Sequence, residues 1–253
     1  MSRDATAIGR WILGAWDAAA AGYDAQYGHA PSSAAELAAW CALLARLFPP
    51  QRPLRILDAG TGTGVVALLL ASAGHRVTGI DLSTAMIAQA RKKAANASVQ
   101  LACVVGETGE LPFADGSFDA VISRYLLWTL PEPATALAEW RRVVHAGGRI
   151  VAIDSLAPRP RPLVRLLSSA VHAVRPTRNA APAPRAAILE AAADCPLNSP
   201  TRPDPAQRLF REAGLHHLRA IELRRLDARL RAAMPLRSRW VRGYRRYLVS
   251  ATV

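Results

Sequence analysis

Three glycines at alternate positions, Gly60, Gly62 and Gly64, stand between an apolar run ending at Ala59 and a helical one opening at Val65. Asp58 precedes them and Asp81 closes the next apolar run. Glycine reaches backbone angles that other residues avoid, and with no Cβ it lets a ligand lie against the main chain. The loop opens a helix whose first N–H groups are free, which favours a carboxylate or other negative group. The spacing lacks the third glycine of the G-x-G-x-x-G turn that receives a dinucleotide pyrophosphate, and no phosphate-loop lysine follows. Asp58 would repel a pyrophosphate but could receive a cationic amine. Asp81 can take both hydroxyls of a ribose. Either acid alone could equally cap a helix or close a strand. The set in register points to a nucleoside-like ligand with a cationic amine.

The segment ILDAGTGTG resembles the first motif of class I S-adenosylmethionine-dependent methyltransferases, and VTGIDLS resembles their acidic second motif. The likeness continues through VVGETGELPFADGSFDAVISRYLLWTLPEP and LAEWRRVVHAGGRIVAID, so it spans roughly residues 23–154. It implies an α/β fold with a doubly wound, mostly parallel seven-stranded sheet, N-terminal lid helices and a helical insertion after the fifth strand. It also implies S-adenosyl-L-methionine as cofactor and S-adenosyl-L-homocysteine as product. On this resemblance Asp58, Gly60, Thr61, Gly62 and Gly64 address the methionine tail, and Asp81 with Leu82 the ribose. Met86, Gly106, Glu107 and Thr108 border the adenine, and Ser123 lies at the tip of the fourth strand. Glu107 replaces the more usual aspartate, and Thr61 a common cysteine. Related enzymes carry a Tyr-Asp element that folds over the cofactor, and Tyr23-Asp24 matches it. A tyrosine face near a sulfonium gains cation–π attraction; the other reading of Tyr23 is helix packing.

The same resemblance implies an N- or O-methyltransferase for a small molecule, plausibly in specialised metabolism. Its acceptor would sit above the strand ends near Ser123, Arg124, Tyr125 and Trp128. Tyr125 stands where relatives often have histidine; it could orient the acceptor, take a proton, or simply pack. Arg124 could meet an acceptor carboxylate, although pairing with a nearby acid is the favoured expectation. His172 is the candidate base on the lid. No metal is expected, because Asp154 is followed by Ser155 and Leu156 rather than the ligand pair of metal-dependent relatives. His145 reads as solvated, and His216-His217 as surface and core. Two rival readings stand: a nucleic-acid methyltransferase using the basic second half, and an idle cofactor-binding regulator. The nucleic-acid reading lacks an [D/N/S]-P-P-aromatic motif at Ser123 and an aromatic-plus-basic platform. A nicotinamide oxidoreductase is disfavoured by the glycine register and Asp58.

Positioning these residues requires alternating strands and helices. Period and punctuation predict strands at Arg55–Ala59, Arg76–Asp81, Gln100–Val105, Asp119–Ser123 and Arg149–Asp154, with helices at Val65–Ser72, Thr84–Ala94 and Ala134–Val144. Continuous apolar strands between helices mean a parallel sheet buried on both faces. Upstream, helices are expected at Arg10–Ala20 and from a capping box, Ser33-Ala-Ala-Glu36, to Phe48. Downstream, Pro158–Pro184 is rich in Pro and Arg, with helical pieces at Leu163–Val174 and near Ala186–Asp194. Then come a helix at Pro205–Ala213 and strands at His217–Leu223 and Arg246–Ala251. The expected division is a helical lid over 1–52, a cofactor core over 53–155, an insertion over 156–204, and the last core elements over 205–253.

The chain of 253 residues is 51% hydrophobic and 20% charged, enough to bury a sizeable core. Its longest apolar run, Leu37–Ala45, is far shorter than a membrane span, as is Val65–Ala71, and no secretion signal is read at the start. Three separated cysteines, Cys41, Cys103 and Cys195, form no disulfide or zinc pattern and fit a reducing cytoplasm. No membrane partner is expected, and a homodimer stays open. The net charge of +13 lies wholly in residues 155–253, which hold 19 arginines and 6 acids; residues 1–154 hold 13 bases and 13 acids. Attraction to an anionic partner and arginine-rich codon bias would both produce this, and codon bias is favoured.

Overall fold

A computed structural model describes residues 13–26, 28–157, 192–198, 200–234 and 245–253. Its centre is a seven-stranded sheet in the order β3-β2-β1-β4-β5-β7-β6. The strands are β1 (Arg55–Ala59), β2 (Arg76–Asp81), β3 (Ala102–Val105), β4 (Phe118–Arg124), β5 (Val144–Ser155), β6 (His216–Glu222) and β7 (Arg246–Thr252). The first five pair in parallel. β7 enters antiparallel between β5 and β6. The mostly parallel, doubly wound architecture expected from the sequence is therefore present.

Helices cover both faces, which is why the central strands read as unbroken apolar runs. Successive side chains of a strand point to opposite faces. Leu57, Ala59 and Val121 pack with Trp140 of α5 (Pro133–Val143) and Phe210 of α6 (Asp204–Glu212). Ile56, Ala120 and Ile122 pack with Trp40 of α2 (Ala34–Leu47), Leu70 of α3 (Val65–Ser72) and Leu226 of α7 (Arg224–Ala233). Helix α4 (Thr84–Asn96) runs beside β2 and β3, and α1 (13–19) leads into a short turn at Ala20–Gly22.

Several boundaries differ from expectation. Strand β5 begins at Val144 rather than Arg149, because Val144 already pairs with Phe118 before a register irregularity. Strand β3 begins at Ala102, not Gln100. Helix α7 was not foreseen, although Leu226, Asp227 and Leu230 recur at helical spacing and are buried. The capping box forms by half. Ser33 Oγ accepts from the Glu36 amide at 3.2 Å, but the Glu36 carboxylate receives Ser32 instead, through both its amide and its hydroxyl at 3.0 Å. His216 and His217 are both exposed, and His217 sits at positive φ (51°) near an irregularity of the β6 register, so neither is a core residue. The helices expected at 163–174 and over most of 186–194 lie outside the described residues; 192–194 is a single 3-10 turn.

Candidate functional site

The parallel strands all deliver their C-terminal ends to one edge of the sheet, where α/β folds place ligands. There the chain between β1 and α3 turns tightly. Gly62 lies at φ 55°, and a Cβ on it would meet nothing within 4 Å, so its main chain faces open space. Gly64 is left-handed for another reason: it caps α3 at φ 80°, and a Cβ there would lie 3.0 Å from Ala90 Cβ on α4. That glycine lets two helices approach and does not line the cavity.

Asp81 ends β2 with both carboxylate oxygens engaged. Oδ2 accepts from the Gly62 amide at 2.8 Å and Oδ1 from the Ser83 amide at 2.9 Å. Burial raises its pKa, against these two hydrogen bonds. A carboxylate has about four acceptor sites, so lone pairs remain for further donors.

Asp58 takes a different position from the ligand-facing one expected. It is 2% exposed, and its Oδ2 accepts from Thr61 Oγ1 at 2.8 Å and from the Ala67 amide at 3.1 Å. It caps α3 from beneath the loop, and burial pushes its pKa up to about 6. Thr61 is correspondingly turned inward, over Gly79 of β2, where any Cβ would meet its side chain within 2.9 Å.

A cavity opens over this edge. Gly60, Gly62, Asp81, Leu82, Met86, Gly106, Glu107 and Thr108 line one side, and Tyr23, Arg124 and Tyr125 line the other. Of the residues expected at the site, Asp58, Thr61, Gly64, Ser123 and Trp128 do not line it. Ser123 is 1% exposed within β4. Trp128 gives its amide to Asp154 Oδ2 at 3.2 Å. His172 lies outside the described residues. Sequence reasoning missed Leu13, Trp16, Ser83, Leu126, Thr129, Leu130 and Pro131. The serine had a signal, since it precedes α4 as an N-cap and accepts from the Met86 amide at 3.1 Å.

The N-terminal segment closes the cavity from above. Asp17 accepts a 2.5 Å hydrogen bond from Ser83 Oγ. Asp24 accepts from Thr63 Oγ1 at 2.6 Å and pairs with Lys93 at 2.6 Å. Between these anchors Trp16, Tyr23 and His29 form an aromatic wall: Trp16 meets Tyr23 edge-on at 5.8 Å, and Tyr23 lies 4.1 Å from His29 between ring centroids. Burial raises the Tyr23 phenol to about 12, against the nearby Arg124 charge.

Tyr125, the residue after β4, takes a backbone conformation that non-glycine residues seldom adopt, φ 61°, held by its amide to the Ile153 carbonyl at 2.8 Å. Burial raises its phenol pKa. Arg124 beside it donates to the His29 carbonyl at 2.6 Å. The acidic partner expected for Arg124 is absent among the described residues.

Residues 57–152 match the model of a methyltransferase domain. The matched stretch is the part of the chain that carries β1 to β5 and the glycine loop, and it is similar to a methyltransferase domain. A demethylmenaquinone methyltransferase of Beutenbergia cavernae is 38% identical over 104 residues, which is 41% of this chain and 42% of that protein. The chain spans about half or less of the relatives it matches most strongly. Phosphoethanolamine N-methyltransferase 2 of Haemonchus contortus, in complex with S-adenosylhomocysteine, superposes with a TM-score of 0.65 at 16% identity, over 93% of this chain and 57% of that one. The [4+2]-cyclase SpnF superposes at 0.60 and 18% identity over 98% and 96%. These likenesses establish the fold. That a cyclase shares it means the methyltransferase core here must be read from its own site. The cavity described above is formed by this core together with residues 13–23 of the N-terminal segment.

Proposed function

We propose that the chain transfers a methyl group from S-adenosyl-L-methionine to nitrogen or oxygen of a small molecule. The observation that carries this is the cavity where Gly62, Asp81 and Glu107-Thr108, from three successive strand ends, face Tyr125 and Arg124. The chain's own groups fit that cofactor. Bare main chain at Gly62 faces open space, Asp81 keeps acceptor capacity for two hydroxyls, and buried Met86 with half-exposed Leu82 offers apolar walls to a base. When bound, the cofactor supplies an already activated methyl group on a sulfonium.

The protein's share of the work is then alignment and exclusion of water. Holding two reactants in line can be worth about 7–11 kcal/mol. Tyr125 stays a neutral hydroxyl at physiological pH, since burial raises its pKa, so it orients the acceptor by hydrogen bonding. The aromatic wall of Trp16 and Tyr23, latched through Asp17 and Asp24, would exclude water from the bound cofactor and offer aromatic rings to its cationic sulfonium. We read 1–52 as the lid, 53–155 as the cofactor core, 156–204 as the insertion that shapes the acceptor pocket, and 205–253 as the completion of the sheet. A role in specialised metabolism, as a cytoplasmic protein, is part of the same reading.

A recessed, mostly apolar cavity supports a small acceptor over a nucleic acid. Arginines of the second half also have structural work: Arg245 pairs with Glu222 at 2.8 Å and Arg246 with Asp227 at 2.9 Å. Calorimetry with S-adenosyl-L-homocysteine, followed by transfer of labelled methyl into a small-molecule fraction of cell extract, tests the proposal. Absence of binding heat would overturn it. Binding without label transfer would favour the idle regulator, and label in RNA the nucleic-acid reading.

A further inference from the structure

Two arginines reach the same indole from two strands. Arg124 ends β4 and Arg246 begins β7, with β5 between them. The register places both on one face: Arg124 is level with Ile153, Ile153 with Leu248, and Arg246 lies two residues before Leu248. Their guanidinium carbons lie 5.4 and 5.7 Å from the centroid of the Trp40 ring. A cation over an indole face is favourable, but two cations drawn to one ring repel each other unless something negative lies between or beside them.

Neither fork is filled. Among the described residues, Arg124 Nη1 and both Nη1 and Nη2 of Arg246 are buried without a hydrogen-bond partner, although the Arg246 side chain is only 1% exposed. Buried donors are nearly always satisfied in folded proteins, and a guanidinium presents five N–H bonds shaped to meet a planar oxyanion. The available carboxylates do not fill them. Asp227 takes the Arg246 amide and Nε, leaving the outer nitrogens. Glu36, fully buried on α2, adds attraction to Arg246 at longer range; its Oε2 is committed to Ser32, and its Oε1, though unpartnered among the described residues, makes no hydrogen bond to either arginine. Arg124 reaches the cavity surface beside Tyr125, its own ring-stacking neighbour at 4.8 Å.

We propose that Arg124 and Arg246 form an oxyanion subsite, so that the methyl acceptor carries a carboxylate or phosphate group that docks beside Tyr125. Arg124 grips the group at the cavity wall and Arg246, one layer deeper, completes the positive field. This rests on the methyl-transfer reading only for the word acceptor; the subsite itself does not.

The test is calorimetry with three probes of one size, benzoate, phenyl phosphate and benzamide, on protein saturated with S-adenosyl-L-homocysteine. We expect benzoate or phenyl phosphate to bind at least tenfold more tightly than benzamide, and whichever is preferred identifies the oxyanion. Arg124→Met should erase the preference. Arg246→Lys keeps a cation for Asp227 but withdraws the fork, and should cut the preference severalfold. Equal binding of all three probes, or a preference that survives Arg124→Met, overturns the subsite. A preference unchanged in Arg246→Lys overturns the pairing of the two arginines. If the homocysteine product gives no heat at all, the methyl-transfer reading falls, and the same probes on the free protein still decide the subsite.

Discussion

The amide of Gly62 donates to Asp81 Oδ2 at 2.8 Å, so the glycine loop and the acid at the end of β2 are one rigid unit. With Ser83 holding Oδ1 at 2.9 Å, the carboxylate cannot rotate, and its remaining lone pairs point in set directions. Hydrogen bonds to charged groups are worth about 1.5–3 kcal/mol. Asp81→Ala should therefore weaken S-adenosyl-L-homocysteine binding by roughly 10- to 100-fold in a calorimetric titration. Tyr125→Phe, which touches the acceptor side, should change that affinity far less. The opposite ranking would refute the site map.

Two neighbouring glycines should fail in different ways. Gly64→Ala forces a side chain into φ 80° and against Ala90. Backbone strain of this kind costs about 1–3 kcal/mol, which for a domain of this size lowers the melting temperature by roughly 2–4 °C per kcal/mol. Gly62→Ala meets no neighbour, so its smaller stability loss should come with a larger loss of cofactor affinity. Thermal melts and titrations on both variants would show whether the two effects separate.

Stability should rise on mild acidification. Burial holds the folded Asp58 at about 6 and Asp154 at about 7, against an ordinary value of 3.8. Between 3.8 and those values the folded chain keeps protons that the unfolded chain has released. Their contribution is thus complete below about pH 4 and disappears as pH climbs through 6 and 7. Glu139 and Glu222, lowered chiefly by hydrogen bonds from Arg142 and Arg245, act in the opposite sense, but only below their ordinary 4.5. The melting temperature should climb from pH 8 to about 5 and fall in stronger acid. Asp58→Asn, whose amide oxygen can still accept from Thr61 and Ala67, should flatten the slope between 4 and 6. A profile level from pH 8 to 5 would count against this.

The ion pair between Asp227 and Arg246 joins α7 to β7 out of contact with water. Removing one member of a buried pair leaves the other charged and unpaired, at a cost of about 3–5 kcal/mol. Asp227→Ala should lower the urea midpoint accordingly, and Asp227→Glu should recover part of the loss. A variant as stable as the parent would show that the pair is dispensable.

Much of the cavity's lining at the ends of β1 to β3 was readable in the chain because it depends on local constraints. Gly62 and Asp81 both line the cavity where parallel strands end, and spacing along the chain reveals that turn. Asp58 was misplaced in expectation because one acid can cap a helix or face a ligand from the same position. Its burial, a tertiary property, decides between them. Arg124 was expected to find an acid, but it donates to the His29 carbonyl and pairs with no carboxylate among the described residues, and only the packed sheet shows that. Arg246 drew no attention at all in the sequence. Its meeting with Trp40 joins residues about two hundred positions apart, beyond the reach of any periodicity. The cavity wall from Leu126 to Pro131 was hidden for a related reason, since a 3-10 turn has too few residues to carry a pattern.

Strand β7, though last of the seven in the chain, is wedged between β5 and β6. During synthesis on a ribosome, β6 therefore emerges with no rail to join, and the flank of β5 stays bare until the strand after it has cleared the exit tunnel. Nascent chains at that stage carry an unpaired sheet margin, which is the form most open to chaperone capture or to pairing with another copy. Because β7 also brings Arg246 to its buried place beside Trp40, completing the sheet and seating that arginine are a single late event.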